Sequence, residues 1–175
     1  MKKLYYLRHG LSELNLAGLF AGSTDTPLTE DGKQQALIAG QEAKHLKIDR
    51  IISSPLSRAL ETAKQFAKGA RLSEDIIETE NLLRERNFGS LEQTPWSHEV
   101  SSSLLNDNLP EGVEKWDDLV DRAKQVIEKV KQMPEEDILL VGHGATGRAI
   151  KFALDPNSDW KTGIPNAELV VLLGD

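Results

Sequence analysis

Two apolar patterns alternate along this chain. Short runs rich in aliphatic, β-branched and aromatic residues, KLYYL at 3–7, RII at 50–52, ILLV at 138–141 and NAELVVLL at 166–173, read as strands. Between them lie longer stretches with helical spacing: 29–46, 55–68, 114–132 and the run GHGATGRAIKFAL from Gly142. In the third of these, Trp116, Leu119, Val120, Ala123, Val126, Ile127 and Val130 recur at three- and four-residue intervals, which gives one apolar face. Ser54 and Pro55 fit the cap and first position of a helix. The βαβα rhythm predicts an α/β fold with a layered, largely parallel sheet. Residues 92–112 break the rhythm with Trp96, His98, three consecutive serines and NDNLPEG. They predict an inserted loop or short helix over one edge of the sheet. No repeat, low-complexity segment or long linker divides residues 1–175, so one domain is expected.

Composition narrows what this domain binds. Lys and Arg number 21 against 28 Asp and Glu, a formal charge of −7, which argues against a general nucleic-acid binder. Any anion must therefore meet a local basic pocket. With no cysteine, thiolate nucleophiles, disulfides and Cys-based zinc sites are absent. The apolar run before Arg8 is too short for a secretory signal, and no run approaches membrane-spanning length, so a cytoplasmic protein is expected.

Ligands of open parallel sheets bind beyond the carboxyl ends of the strands. Three such ends are polar: Arg8-His9-Gly10, the SSPLSR run ending at Arg58, and Gly142-His143-Gly144. Brought to one rim, two arginines and two histidines form a pocket for phosphate, the guanidinium forks matching its oxygens. Neighbouring cations disfavour the imidazolium form, which leaves a histidine neutral and nucleophilic. Gly10 lets the backbone approach the ligand, and the Gly144 and Ala145 amides at a helix start favour bound phosphate. A departing alkoxide needs a proton, and Glu85 in LLRERNFGSLE is the candidate acid.

Together these motifs resemble the histidine phosphatase superfamily, in the branch holding the cofactor-dependent phosphoglycerate mutases and their smaller phosphatase relatives. RHG at 8–10 is similar to the nucleophile motif, AGSTDTPLTEDGKQQA to the following loop and helix, SPLSRALETA to the segment bearing the second arginine, LRERNFG to the acid segment and GHG to the second histidine motif. The resemblance implies a three-layer α/β/α sandwich, phosphoglycerate mutase-like. It implies that His9 becomes a phosphohistidine, that Glu85 is the proton donor, and that Arg8, Asn15, Arg58, His143 and the Gly22 and Gly144 amides hold the phosphoryl group. No metal or organic cofactor is implied.

Against the mutase pattern, Leu11 replaces a glutamate and Phe88 a tyrosine, while Arg86 keeps a position that in mutases helps hold a substrate carboxylate. Residues 87–114 contain no Lys or Arg, so a second anionic group would find no clamp there. Water is then the expected acceptor, and the expected activity is phosphatase action on a small phosphomonoester, with mutase or protein-phosphohistidine phosphatase as alternatives. Trp96 is a candidate contact for an apolar leaving group or an anchor for its loop. His45, near a helix end, and His98, in the insertion, carry no expected chemistry.

Three other classes compete. G-x-G-x-x-G at 142–147 fits a dinucleotide fingerprint, but only one further strand follows where that fold needs an acidic strand end and more βα units. A metal-dependent phosphatase lacks H-E-x-x-H or an aspartate cluster. A non-catalytic phosphate-binding module would carry the catalytic side chains without use.

Overall fold

A computed structural model of the chain describes residues 2–106 and 108–174. Its strands are β1 (Lys3–Arg8), β2 (Arg50–Ser53), β3 (Ile77–Thr79), β4 (Asp137–Gly142) and β5 (Leu169–Leu173). They form one sheet in the order β3-β2-β4-β1-β5, parallel except for β5, which runs antiparallel to β1. The helices are α1 (Glu13–Leu16), α2 (Glu30–Glu42), α3 (Ser57–Ala70), α4 (His98–Ser103), α5 (Trp116–Gln132) and α6 (Gly144–Leu154). The short edge strand β3 escaped the sequence reading because IET lacks an apolar run, and it owes its place to pairing with β2.

Period-two alternation explains why the strands read as continuous apolar runs. Leu4 and Tyr6 of β1 join Ile138 and Leu140 of β4 in a core beneath α5 and α6. Tyr5, Leu7, Leu139 and Val141, the residues between, point to the other face and join Ala39, Ala59, Ala63 and Phe66 of α2 and α3. Both faces are thus covered, giving the α/β/α layering. On the second face α2 and α3 meet backbone to backbone: a Cβ on Gly40 would lie 2.1 Å from the Phe66 carbonyl oxygen, and one on Gly69 equally 2.1 Å from that of Leu37.

Two local expectations change. Helix α3 starts at Ser57 rather than Pro55, with Leu56 at its cap position. Its first amide is satisfied from outside, since the Ser57 N–H donates to Asp25 Oδ1 at 2.9 Å. This frees the Ser54 hydroxyl for another role. The 92–112 insertion does contain a short helix, α4, but it folds onto the 18–20 loop. The Phe20 and Trp96 N–H groups donate to the Thr94 and Gly18 carbonyls, and Phe20, Leu104 and Val113 form a third apolar cluster with Phe88 and Val100. Asp107, within the turn-like NDNLPEG run, lies outside the described residues.

Candidate active site

Register brings the polar strand ends level. Arg8 at the end of β1 lies opposite Gly142 of β4, and Ser53 of β2 opposite Val141, so the loops that follow emerge at one rim. There they line a cavity of about 370 Å3 whose walls include Arg8, His9, Asn15, Gly22, Arg58 and Glu85. Gly144, Phe88 and Trp96 line it as well. His143 lies under it, fully buried, with its ring centroid 5.1 Å from that of His9.

The His9 ring is oriented by its own backbone neighbourhood. Nδ1 donates to the Gly10 carbonyl at 2.7 Å; because a carbonyl only accepts, the Nε2 lone pair is left free. Burial, then the charges of Arg58 and Arg8, hold the His9 pKa well below its ordinary value, so the ring is neutral. His143 is likewise held well below its ordinary value, by burial and then by Arg58, His9 and Arg8. Its Nε2 lies 2.8 Å from Ser54 Oγ, which already accepts the Leu56 N–H. Its Nδ1 is a buried atom without a protein partner.

The two arginines are half engaged in the same manner. Arg58, only 1% exposed, donates from Nη2 to the Gly22 carbonyl at 2.7 Å and from Nη1 to that of Thr24 at 3.0 Å, while its buried Nε has no partner. Arg8 donates from Nη1 to the Ile164 carbonyl at 2.8 Å, and its Nε is also buried and unpartnered. Buried donors without acceptors are costly unless a ligand completes them. Two such N–H groups, on Arg8 and Arg58, with the unpartnered His143 Nδ1 near them, describe a receptor for an anion rich in acceptor oxygens.

Glu85 lines the cavity as well. Its Oε1 accepts the Arg86 N–H at 2.9 Å and the Thr146 N–H at 3.0 Å, and its Oε2 accepts the Ala145 N–H at 3.1 Å. The carboxyl therefore caps the positive end of α6. This corrects the expected role of the Ala145 amide, which serves Glu85 rather than a phosphate. Oε1 is crowded by donors, whereas Oε2 carries a single bond.

Asn15 lines the cavity from the third position of α1, where it completes a capping box with Ser12. Gly22 sits at φ +54°, and a Cβ there would lie 2.3 Å from Glu92 Oε1, so this turn requires glycine. Arg86 does not reach the cavity. It is 3% exposed and donates from Nε to the Glu114 carbonyl at 2.8 Å and from Nη2 to that of Leu104 at 2.9 Å. Its expected role with a substrate carboxylate is corrected: the Leu104 and Glu114 carbonyls take up its guanidinium instead. Trp96 is 52% exposed at the mouth, and its N–H anchors the insertion to Gly18. His45 donates from Nδ1 to the Glu42 carbonyl at the end of α2, away from the site.

Several site residues were not singled out from sequence. Glu92 accepts from the backbone and hydroxyl of Ser23, both at 2.8 Å, and from the N–H groups of Thr24 and Phe88, which fixes the loop carrying Gly22. Against the burial that raises it, the hydrogen bonds from Thr24 and Ser23 hold its pKa below the usual carboxylate range. Asn166 donates from Nδ2 to the His9 carbonyl at 2.9 Å and lies 3.3 Å from that of Gly10. It is there because β5, running antiparallel, starts at the rim where the parallel strands end. Arg148 of α6 lines the cavity too; its signal was the four-residue interval from Gly144, which puts both on one helix face.

The sequence model of the histidine phosphatase superfamily (branch 1) matches residues 4–175. The chain belongs to that superfamily. It is 34% identical over 155 residues to the probable phosphoglycerate mutase GpmB of Escherichia coli K12, an alignment covering 82% of this chain and 70% of the relative. Among solved structures it is similar to a phosphoglycerate mutase from Bacillus anthracis (26% identity, TM-score 0.85, 97% of this chain and 86% of that one). It is also similar to a phosphoserine phosphatase from Entamoeba histolytica bound to phosphoserine (29%, TM-score 0.80, 98% and 90%). A mycobacterial glucosyl-3-phosphoglycerate phosphatase gives 26% and TM-score 0.85, over 98% and 92% of the two chains. The histidine phosphatase fold thus accounts for the mostly parallel sheet and for the site at its carboxyl rim.

Proposed function

We propose that this chain is a metal-independent phosphomonoester phosphatase that works through a phosphohistidine on His9. The observation that carries the reading is the free Nε2 of a neutral, buried His9 at a site with orphaned N–H donors on Arg8 and Arg58. In the first step His9 Nε2 attacks phosphorus, the P–N bond forms and the ester P–O bond breaks. Glu85 gives its Oε2 proton to the leaving oxygen as an alcohol departs. In the second step the Glu85 carboxylate takes a proton from water, whose oxygen attacks phosphorus; the P–N bond breaks and inorganic phosphate leaves. Arg8, Arg58 and His143 Nδ1, with the Gly22 and Gly144 amides and Asn15, hold the phosphoryl oxygens through both steps.

Among the described residues no group of three or more His, Asp or Glu side chains could hold a metal ion, and Arg8 and Arg58 supply the cationic charge instead. Among them, too, no helix is long and apolar enough to cross a membrane. Water is the acceptor in this reading because residues 87–114 bring no cation to the cavity mouth and Arg86 is turned away. A small phosphorylated metabolite fits the cavity.

Purified protein should hydrolyse p-nitrophenyl phosphate in excess EDTA, and labelled substrate should leave acid-labile, alkali-stable label on His9. His9→Ala should lose turnover by three orders of magnitude or more, on the order of what removing a nucleophile costs. Wild-type turnover in that variant, or activity that vanishes with EDTA and returns with a divalent ion, would overturn the proposal. Transfer of label to phosphoglycerate in place of release as inorganic phosphate would identify the mutase.

A further inference from the structure

The proposed chemistry leaves one cavity-lining cation without work. Arg148 lines the cavity, and among the described residues it has neither a hydrogen-bond nor an ion-pair partner; its Nε is buried and unsatisfied. Arg8 and Arg58 are partly committed to backbone carbonyls, Arg86 to Leu104 and Glu114, and Arg122 to Glu114. A cation kept beside a cavity with free donors is incomplete until an anion arrives.

The surroundings of Arg148 hold its charge without taking up its N–H groups. Its guanidinium carbon lies 5.8 Å from the ring centroids of both Trp116 and Trp160, which stack on each other at 5.0 Å. Aromatic faces attract a cation yet offer no acceptor to the N–H groups. The segment that brings Trp160 also brings Gly163, which lines the cavity, and the Ile164 carbonyl, which holds Arg8. One loop therefore supports both arginines.

Position decides which part of a substrate Arg148 meets. It lies four residues beyond Gly144 and three beyond Ala145, one helical turn from the amide that binds Glu85 Oε2. Long side chains on a helix lean toward its N-terminus, so the guanidinium leans back toward the acid, and Glu85 is the charge that acts on it. That is the leaving-group side. We infer that Arg148 is the specificity-determining residue that selects phosphomonoesters with a carboxylate close to the ester oxygen. The planar fork of arginine suits a carboxylate bidentately. The remaining wall, with Leu19, Phe20, Phe88 and Trp96, takes the uncharged part. This inference rests on the phosphatase reading above.

The test uses substrate pairs that differ only in that carboxylate: O-phosphoserine against O-phosphoethanolamine, and 3-phosphoglycerate against glycerol 3-phosphate. Wild-type kcat/KM should favour the carboxylated member of each pair by about 10- to 100-fold, the range expected for a charge-assisted hydrogen bond. In Arg148→Gln that preference should collapse to within a few-fold, mainly through KM of the carboxylated member, and Arg148→Lys should restore part of it. A wild-type enzyme indifferent to the carboxylate would overturn the inference whatever the variants do. So would an Arg148→Gln enzyme that slows both members equally. If wild type hydrolyses no phosphomonoester at all, the phosphatase reading itself fails, an outcome distinct from hydrolysis without preference.

Discussion

His9 Nδ1 and the carbonyl oxygen of Gly10 are 2.7 Å apart, and this short contact assigns the ring's proton to the side facing away from substrate. The Gly10 N–H is itself tied to Thr62 Oγ1 at 3.0 Å, and Asn166 Nδ2 stands 3.3 Å from the same carbonyl. The nucleophile's tautomer is thus set by backbone that α3 and the β5 approach hold in place.

Because His9 and His143 both have folded-state pKa values well below the ordinary histidine value, the folded protein binds fewer protons than the unfolded chain once pH drops below about 6.5. Their contribution to stability is complete above that value and declines as pH falls. Denaturant unfolding should lose stability from pH 6.5 toward 5, with a slope of up to about 1.4 kcal/mol per pH unit from each buried histidine. The slope should be shallower in His9→Asn. For activity, kcat/KM should show no loss from His9 protonation through pH 6.5 to 6, after correction for the substrate's second ionisation near 6. An acid limb centred at an ordinary histidine value would contradict the burial of this ring.

Glu85→Gln removes the acid and also disturbs the α6 terminus, since an amide offers one acceptor where the carboxylate serves the Arg86, Ala145 and Thr146 amides. Alkyl phosphates, whose leaving oxygens need the proton, should slow by about 100- to 10,000-fold. p-Nitrophenyl phosphate, with a far better leaving group, should slow much less. Stability should fall by roughly 1–3 kcal/mol, the cost of an unsatisfied buried donor. Steady-state rates across a leaving-group series would measure this, and equal slowing across it would assign the acid to another residue.

Gly69→Ala sets two effects against each other. Alanine favours the helical backbone by about 1 kcal/mol over glycine. The added methyl, however, would stand 2.1 Å from the Leu37 carbonyl oxygen and 2.9 Å from the Gln41 nitrogen, both backbone atoms that cannot swing aside. Overpacking of about 1–3 kcal/mol should win, seen as a lower urea midpoint with an unchanged m-value. A midpoint that rises would mean that α2 and α3 separate without penalty.

Local pattern alone settled much of this protein. Continuous apolar runs demand strands covered on both faces, and the split of Leu4 and Tyr6 from Tyr5 and Leu7 into two cores meets that demand. The RHG, SPLSR, LRERNFG and GHG segments, read with their resemblance to the histidine phosphatase motifs, were sufficient to pick out Arg8, His9, Arg58, Glu85 and the Gly144 helix start, because the register of the parallel strands brings the loops that follow β1, β2 and β4 to one rim. Tertiary structure alone decided the rest. Arg86 and Arg148 are both long, flexible cations near the acid, and sequence favoured Arg86. Carbonyls 18 and 28 residues further along the chain captured Arg86, while two tryptophans left Arg148 facing the cavity. Ser54 moved from cap to histidine partner once Asp25 satisfied the helix start, and Asn166 entered the site because β5 runs against its neighbours. Competition among distant partners for the same donors is a property of the folded chain, and no periodicity records it.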